Sequence, residues 1–241
     1  MAKTMSTSRR TRREQDSMGT MDVPADVLYG ASTQRAVLNF PIAHRPVSWE
    51  VVHALALLKH AAAASNWELK QLDARRRKLI TNACEEVAGK LEHIDSRADM
   101  MRHFPVDVFQ TGSGTSTNMN VNEVVSNIAC LGAGGKIGAQ NPVHPNDHVN
   151  MGQSSNDTFP TAMQVAAAVQ IKDTLLPSLK TLAKALHRKA KQFDSVVKIG
   201  RTHLQDATPI RLGQEFSGFA HQVDNAIERA KLALASLADN L

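Results

Sequence analysis

Between Leu212 and Leu241, apolar side chains return every three or four residues: Leu212, Phe216, Phe219, Val223, Ile227, Ala230, Leu234, Leu237 and Leu241. That spacing keeps them on one face of an α-helix of roughly 30 residues, about 45 Å long at about 1.5 Å per residue. An isolated helix cannot bury such a stripe, so the pattern demands neighbouring helices. It runs to the final residue with no Gly or Pro stop signal, and a truncated helical bundle is therefore expected.

The rest of the sequence agrees with a mainly α fold. Hydrophobic residues make up 42% of the 241 residues and aromatics only 4%, a balance that favours closely packed helices over an all-β fold. Ser48 is a good N-cap, followed at helical spacing by Val52, Leu55, Leu58 and Ala62. Asp73 opens a second helix with the apolar face Ile80, Cys84, Val87 and Leu91, and Met119 to Leu131 form another that stops at Gly132. Thr161 to Phe193 carry the stripe Leu175, Leu179, Leu182, Leu186 and Phe193, within which Pro177 should kink or divide the helix. Residues 1–47, the stretch from His93 to Pro105, and Gly200 to Pro209 read as irregular. In the last of these Thr208-Pro209 would cap the long helix.

The net charge of +5 is local. Lys3, Arg9, Arg10, Arg12 and Arg13 fall in a tail without acids, and removing those five leaves equal numbers of basic and acidic residues. A neutral body is no footprint for nucleic acid. No run of apolar residues is long enough to cross a membrane as a helix. The two cysteines, Cys84 and Cys130, sit in apolar helical patterns and suit a reducing compartment, so a cytoplasmic protein is expected.

Three segments share one design. Gly112-Ser113-Gly114-Thr115, Gln153-Ser154-Ser155-Asn156-Asp157 and Arg201-Thr202-His203 each place small hydroxyl or amide side chains before a predicted helix. Helix N-termini present unpaired N–H groups and partial positive charge, and glycine lets a ligand approach the backbone. Together they suit a small dicarboxylate held by neutral donors. Each cluster alone is also an ordinary helix cap. His203 is the candidate acid or base, since imidazole exchanges protons near neutral pH. The glycine-rich run at Gly132 to Gly138 lacks dinucleotide spacing. His144 and His148 are separated by Pro145 and Asn146, which argues against one continuous helix presenting both to a metal, and no third ligand is apparent. Arg75-Arg76-Arg77 reads as a solvated face.

At these same segments the sequence resembles the fumarase/aspartase superfamily. The matching stretches are DSMGTMDVPADVLYGASTQRAVLNFPI, QTGSGTSTNMNVNEV, NPVHPNDHVNMGQSSNDTFPTA and KIGRTHLQDATPIRLGQEFSG. The resemblance runs from about Arg12 to the last residue. His203 and Ser155 stand where aspartate ammonia-lyases usually carry Gln and Thr, which points to the class II fumarate hydratases.

The resemblance implies a set of roles. Ser113, Gly114 and Thr115 would bind a substrate carboxylate, with Ser154, Ser155, Asn156 and Thr202 contacting the same substrate. His203 would exchange the proton at the C–O bond. His144, Pro145, Asn146 and Asp147 match a second, non-catalytic dicarboxylate site. The implied reaction removes the C3 proton of malate, passes through an aci-carboxylate and loses hydroxide, with hydrogen bonds placed where the extra charge develops. No metal or other cofactor is implied. The partners implied are fumarate, malate and further copies of the chain in a homotetramer whose active site is shared between subunits.

The family's mobile Gly-Ser-Ser-x-Met-Pro-x-Lys-x-Asn signature, which carries the C3 base, is absent, so the isolated chain is expected not to turn over. The expected organisation is a disordered basic tail over 1–13, an irregular and α-helical N-terminal domain over 14–153, and the first long helices of a fumarase/aspartase-type bundle over 154–241. An ammonia-lyase for aspartate and a non-catalytic helical fragment are the competing readings.

Overall fold

A computed structural model describes residues 10–239 of the chain. The chain divides into two compact units, Met1–Met163 and Gln164–Leu241.

The first unit opens with an antiparallel hairpin, β1 (Thr11–Asp16) and β2 (Gly19–Pro24), followed by α1 (Ala31–Asn39). The sequence suggested irregular chain here and a disordered tail through Arg13. The described part of that tail is instead ordered by Arg12. Its guanidinium bonds the Glu14 carboxylate at 2.6 Å and donates to the carbonyls of Pro24, Val27 and Tyr29. One planar cation thus satisfies carbonyls that an irregular segment would otherwise leave unpaired. Residues 1–9, the rest of the expected tail, lie outside the described residues.

Next come α2 (Trp49–Glu68), α3 (Ala74–Glu92), α4 (Ile94–Met101) and α5 (Thr115–Gly132). Asp73 caps α3 as expected, accepting from the Arg76 N–H at 2.9 Å. The expected α3 face of Ile80, Cys84, Val87 and Leu91 is fully buried, worth roughly 1.5–3 kcal/mol per large aliphatic side chain. Helix α4 occupies a stretch that read as loop. It is short and mostly exposed, so its only buried residue, Met100, leaves no periodic signal.

The α2 stripe also differs from its sequence reading. The buried line is Val52, Leu55, Ala56, Lys59 and Ala63, while Leu58 and Ala62 are only half-buried. A lysine therefore lies on the core face of α2.

Helix α6 (Ser155–Gln170) holds the boundary between the units. In the second unit a single π-helical turn, Ile171–Leu175, precedes α7 (Leu176–Gln192). Pro177 sits at the start of α7, dividing the helical run where the sequence placed a break. The hydrophobic centre is Leu176, Ala183 and Ile227, backed by Leu179, Val223, Ala230 and Leu234. Leu175 and Leu182, expected on the stripe, are 44% and 48% exposed. The π-turn shifts the phase, so the inward face moves to Leu176, Leu179 and Ala183.

Between α7 and α8 (Leu212–Asp239) stands a second hairpin, β3 (Val197–Thr202) and β4 (Gln205–Arg211), in the stretch read as loop. Thr208-Pro209 therefore does not cap the long helix. Pro209 instead pairs opposite Ile199 in a two-stranded ribbon, where its missing N–H can face outward. A register shift lies between Ile199 and Arg201. At Gly200 inside it, a Cβ would stand 2.7 Å from the Thr208 carbonyl oxygen, so only glycine lets the strands approach. The long seam is one helix as expected, through Asp239. No helix among the described residues is long and apolar enough to cross a membrane.

Candidate active site

Two of the three polar segments converge within the first unit. Gly114 is the N-cap residue of α5 in the left-handed conformation, φ 67°. The Phe159 ring occupies the place a Cβ on Gly114 would take. This turn sets Ser113 and Thr115 side by side, sharing a hydrogen bond of 2.8 Å between their hydroxyls. Thr115 in turn shares one of 2.7 Å with the Ser155 hydroxyl at the start of α6. Residues 42 positions apart at the extremes thus form one hydroxyl cluster that remains open to solvent.

The remaining members of the second segment have different tasks. Ser154 closes the first turn of α6: its carbonyl accepts from the N–H groups of Asp157 and Thr158, and its hydroxyl from Asn156 N–H at 3.3 Å. Asn156 is exposed. The capping role weighed from the sequence therefore holds for Ser154.

Thr202 and His203 belong to the second unit. Thr202 pairs with Gln205 across the β3–β4 hairpin, and the two-residue turn is His203-Leu204. Both turn residues have positive φ, 49° and 61°, the pattern of a type I′ hairpin turn. Thr202 and His203 are exposed. The sequence placed them just before a helix, but β4 intervenes, and the hairpin rather than a helix N-terminus presents them.

His144, Pro145 and Asn146 line a cavity of about 370 Å³ that also includes Asp16, Ser32 and Glu123. Asp147 instead stands beside the His144 ring, 3.3 Å from Nδ1. The His144 N–H donates to His148 Nδ1 at 2.8 Å, tying the turn together. Burial lowers the His148 pKa, and the Arg76 cation acts in the same direction. At the cavity wall the Asp16 carboxyl is held below its ordinary range by the hydrogen bond from Arg35. Glu123 accepts from Gly30 N–H, Ser32 N–H, Thr33 N–H and the Thr33 hydroxyl, capping α1. Burial raises its pKa against those bonds. Among the described residues no group of His, Cys, Asp and Glu stands as metal ligands would.

Beneath the hydroxyl cluster lies a network the sequence analysis missed. Lys59 is 0% exposed. Its Nζ donates to Asn118 Oδ1 at 2.7 Å, Gln153 Oε1 at 2.8 Å and Asn150 Oδ1 at 3.5 Å. The signal was present in two forms. Lys59 falls at helical spacing between Leu55 and Ala63, and Asn118, Asn120 and Asn122 interrupt an otherwise apolar helix.

The general lyase family model matches residues 19–240. The chain belongs to the lyase family. Among its relatives within that family, a class II fumarate hydratase of Bradyrhizobium diazoefficiens is 52% identical over 98% of this chain and 48% of its own length. The mitochondrial fumarate hydratase of Saccharomyces cerevisiae is 52% identical over 94% of the chain and 45% of its own. The crystal structure of a class II fumarase from Schistosoma mansoni superposes with a TM-score of 0.84, at 42% identity over 95% of the chain and 46% of its own. A fumarate lyase from Brucella melitensis gives 0.87 at the same identity, over 95% and 51%. The lyase-family chain thus spans about half the length of the curated relatives it matches. The resemblance read from the four motifs and the helical fold class both stand.

Proposed function

We propose that this lyase-family chain carries part of a fumarate hydratase active site, one that adds water reversibly to fumarate to give L-malate. The observation carrying this reading is the bonded hydroxyl set Ser113–Thr115–Ser155 at the starts of α5 and α6. The cluster offers neutral O–H donors beside backbone N–H groups, which suits a carboxylate. Gly114, Ser154 and Asn156 complete that subsite, Thr202 contacts the substrate, and His203 moves the proton on the departing or attacking oxygen. Donors aimed at the carboxylate that gains charge in the aci-carboxylate intermediate act mainly on the transition state, at about 3–4 kcal/mol for each one removed.

In the same reading His144, Pro145, Asn146 and Asp147 form a second dicarboxylate site. The active protein is a cytoplasmic homotetramer with active sites shared between subunits. His203 and Ser155 favour hydration over ammonia loss, because those two positions are where the resemblance separates hydratases from aspartate ammonia-lyases.

Calorimetric titration of the 241-residue chain with fumarate tests the carboxylate subsite. Saturable heat whose affinity falls about tenfold in Ser155→Ala is expected, and no saturable heat from the unaltered chain ends the reading. Fumarate formation from malate, with aspartate as the control, separates hydration from ammonia loss when it is assayed on the chain extended with the signature loop that carries the C3 base.

A further inference from the structure

Among the described residues Lys59 is the largest fully buried side chain, and no carboxylate is ion-paired to it. A buried ammonium without a counter-charge is costly and persists only where other dipoles replace its water. The buried Cys84 thiol lies within electrostatic range, and the hydrogen-bond partners of Nζ are three side-chain amide oxygens, which only accept. The nitrogen is therefore the donor in every one of these contacts, and three acceptors match the three protons of an ammonium.

Those acceptors come from the two segments that carry the hydroxyl cluster. Asn118 lies one turn into α5, its own N–H donating to the Gly114 carbonyl at 3.0 Å. Gln153 is the residue immediately before Ser154, and its Nε2 is held by the Val149 carbonyl at 2.9 Å. Asn150 bridges them, accepting from Asn118 Nδ2 at 3.0 Å and donating to the Gln153 carbonyl at 3.2 Å. Thr158 of α6 adds a longer contact to Asn118 Oδ1, 3.5 Å.

Resting on the carboxylate-site reading above, we propose that Lys59 is a positioning residue: its ammonium pins the start of α5 to the start of α6, so that Ser113, Thr115 and Ser155 address one carboxylate together. Lys59 does not touch the hydroxyls; it acts through Asn118 and Gln153. In its protonated form the positive charge also favours an anion over the cluster, because the field in a low-dielectric interior is weakly screened. Burial pushes the Lys59 pKa down to about 7, while the oxygens aimed at Nζ favour the protonated form.

The test compares the 241-residue chain with Lys59→Met and Gln153→Met, near-isosteric changes that remove the ammonium or one of its acceptors. Amide hydrogen exchange is followed at Asn118, over residues 153–158, and along α3 as the control for global folding. In Lys59→Met, exchange at Asn118 and over 153–158 is expected to accelerate tenfold or more with α3 unchanged. Gln153→Met is expected to release 153–158 alone. Unchanged protection in both segments overturns the proposal, as does loss spread equally into α3, which would make Lys59 only a filler of the core. Should Lys59→Met not fold, Gln153→Met decides on the same criterion. Fumarate affinity, measured in parallel, is expected to fall tenfold or more in Lys59→Met. If the unaltered chain binds no fumarate yet shows the exchange pattern, the carboxylate-site reading fails and the positioning role stands.

Discussion

Helices α5 and α8 are both long, and they solve opposite problems. Helix α5 is buried along most of its length although it carries Asn118, Asn120, Asn122, Glu123, Ser126 and Asn127 on its buried surface. Those polar groups are tied to distant backbone and side chains: Asn120 to the His103 carbonyl, Ser126 to the Val143 carbonyl, Asn127 to the Leu28 carbonyl and Gly138 N–H. Helix α8 has the regular apolar seam but buries only Gly213, Ala220 and Ile227. Amphipathic regularity is thus no measure of burial. A polar helix can be deeply enclosed when most of its amides meet partners, because a largely satisfied buried network specifies position. On α5 the Asn122 Oδ1 is the buried oxygen left without one among the described residues. The candidate site follows the same contrast. The hydroxyl cluster stands on the networked helix of the first unit, and the proposed imidazole, His203, stands on an exposed hairpin of the second unit.

The largest effect that would sharpen this contrast is expected at Gly114. Gly114→Ala adds a Cβ at positive φ, into the space of the Phe159 ring. A loss of about 2–5 kcal/mol is expected from backbone strain and overpacking together. The chain's two tryptophans, Trp49 and Trp67, both lie in the first unit, so urea unfolding followed by tryptophan fluorescence reads that unit alone. A change below about 1 kcal/mol would show that the turn is pliable.

Glu123→Gln comes next, at about 2–3 kcal/mol by the same measurement, because an amide has one acceptor oxygen where the carboxylate takes four donors. Indifference to this change would remove α5 from its role as the organiser of α1.

Lys59 makes the first unit sensitive to pH. Its pKa is lowered from 10.5 to about 7 in the folded chain. Between those values the unfolded chain holds a proton that the native state gives up, so stability rises with pH and the cost of the buried charge is fully present below about 7. Cys84, pushed up from 9.0 to about 12 by burial, acts in the opposite sense only above about pH 9. Unfolding at pH 7 and at pH 9 is expected to show a gain of up to about 2 kcal/mol in the unaltered chain, at most about 1.4 kcal/mol per pH unit. Lys59→Met should lose that gain, and equal slopes would dissociate the lysine from it.

Thr115→Ala and Ser155→Ala, at the open face of the network, should cost less than about 1 kcal/mol of stability while weakening fumarate binding about tenfold, the worth of one hydrogen bond to an ion. The smallest structural effect is expected for His203→Asn, within about 0.5 kcal/mol, since asparagine adopts positive φ readily in a two-residue hairpin. Near-ultraviolet circular dichroism would follow the fold, and loss of malate turnover in the assembled enzyme would mark the imidazole's role. Retained turnover would remove His203 from the chemistry.

Much of this was legible in the residues. Asp73, Gly114, Ser154 and Pro177 mark helix boundaries by local chemistry alone, and the α3 face repeats with the helical period. The hairpins were not legible. β1 depends on Arg12 reaching carbonyls up to 17 residues away, and β3–β4 depends on Gly200 letting two strands close together. The site divided in the same way. Ser113, Thr115 and Ser155 stood out as short polar motifs, whereas Lys59, Asn118, Asn150 and Gln153 look ordinary until their amides meet.

By itself the sequence determined the helical class, the lyase kinship and the hydroxyl-bearing helix starts, because period and capping act over a few residues. Only the tertiary structure decided that a lysine would lie in the core and that two helix starts would share a single set of hydroxyls. Those outcomes depend on which distant groups can replace lost water, and such pairings leave no trace in local spacing.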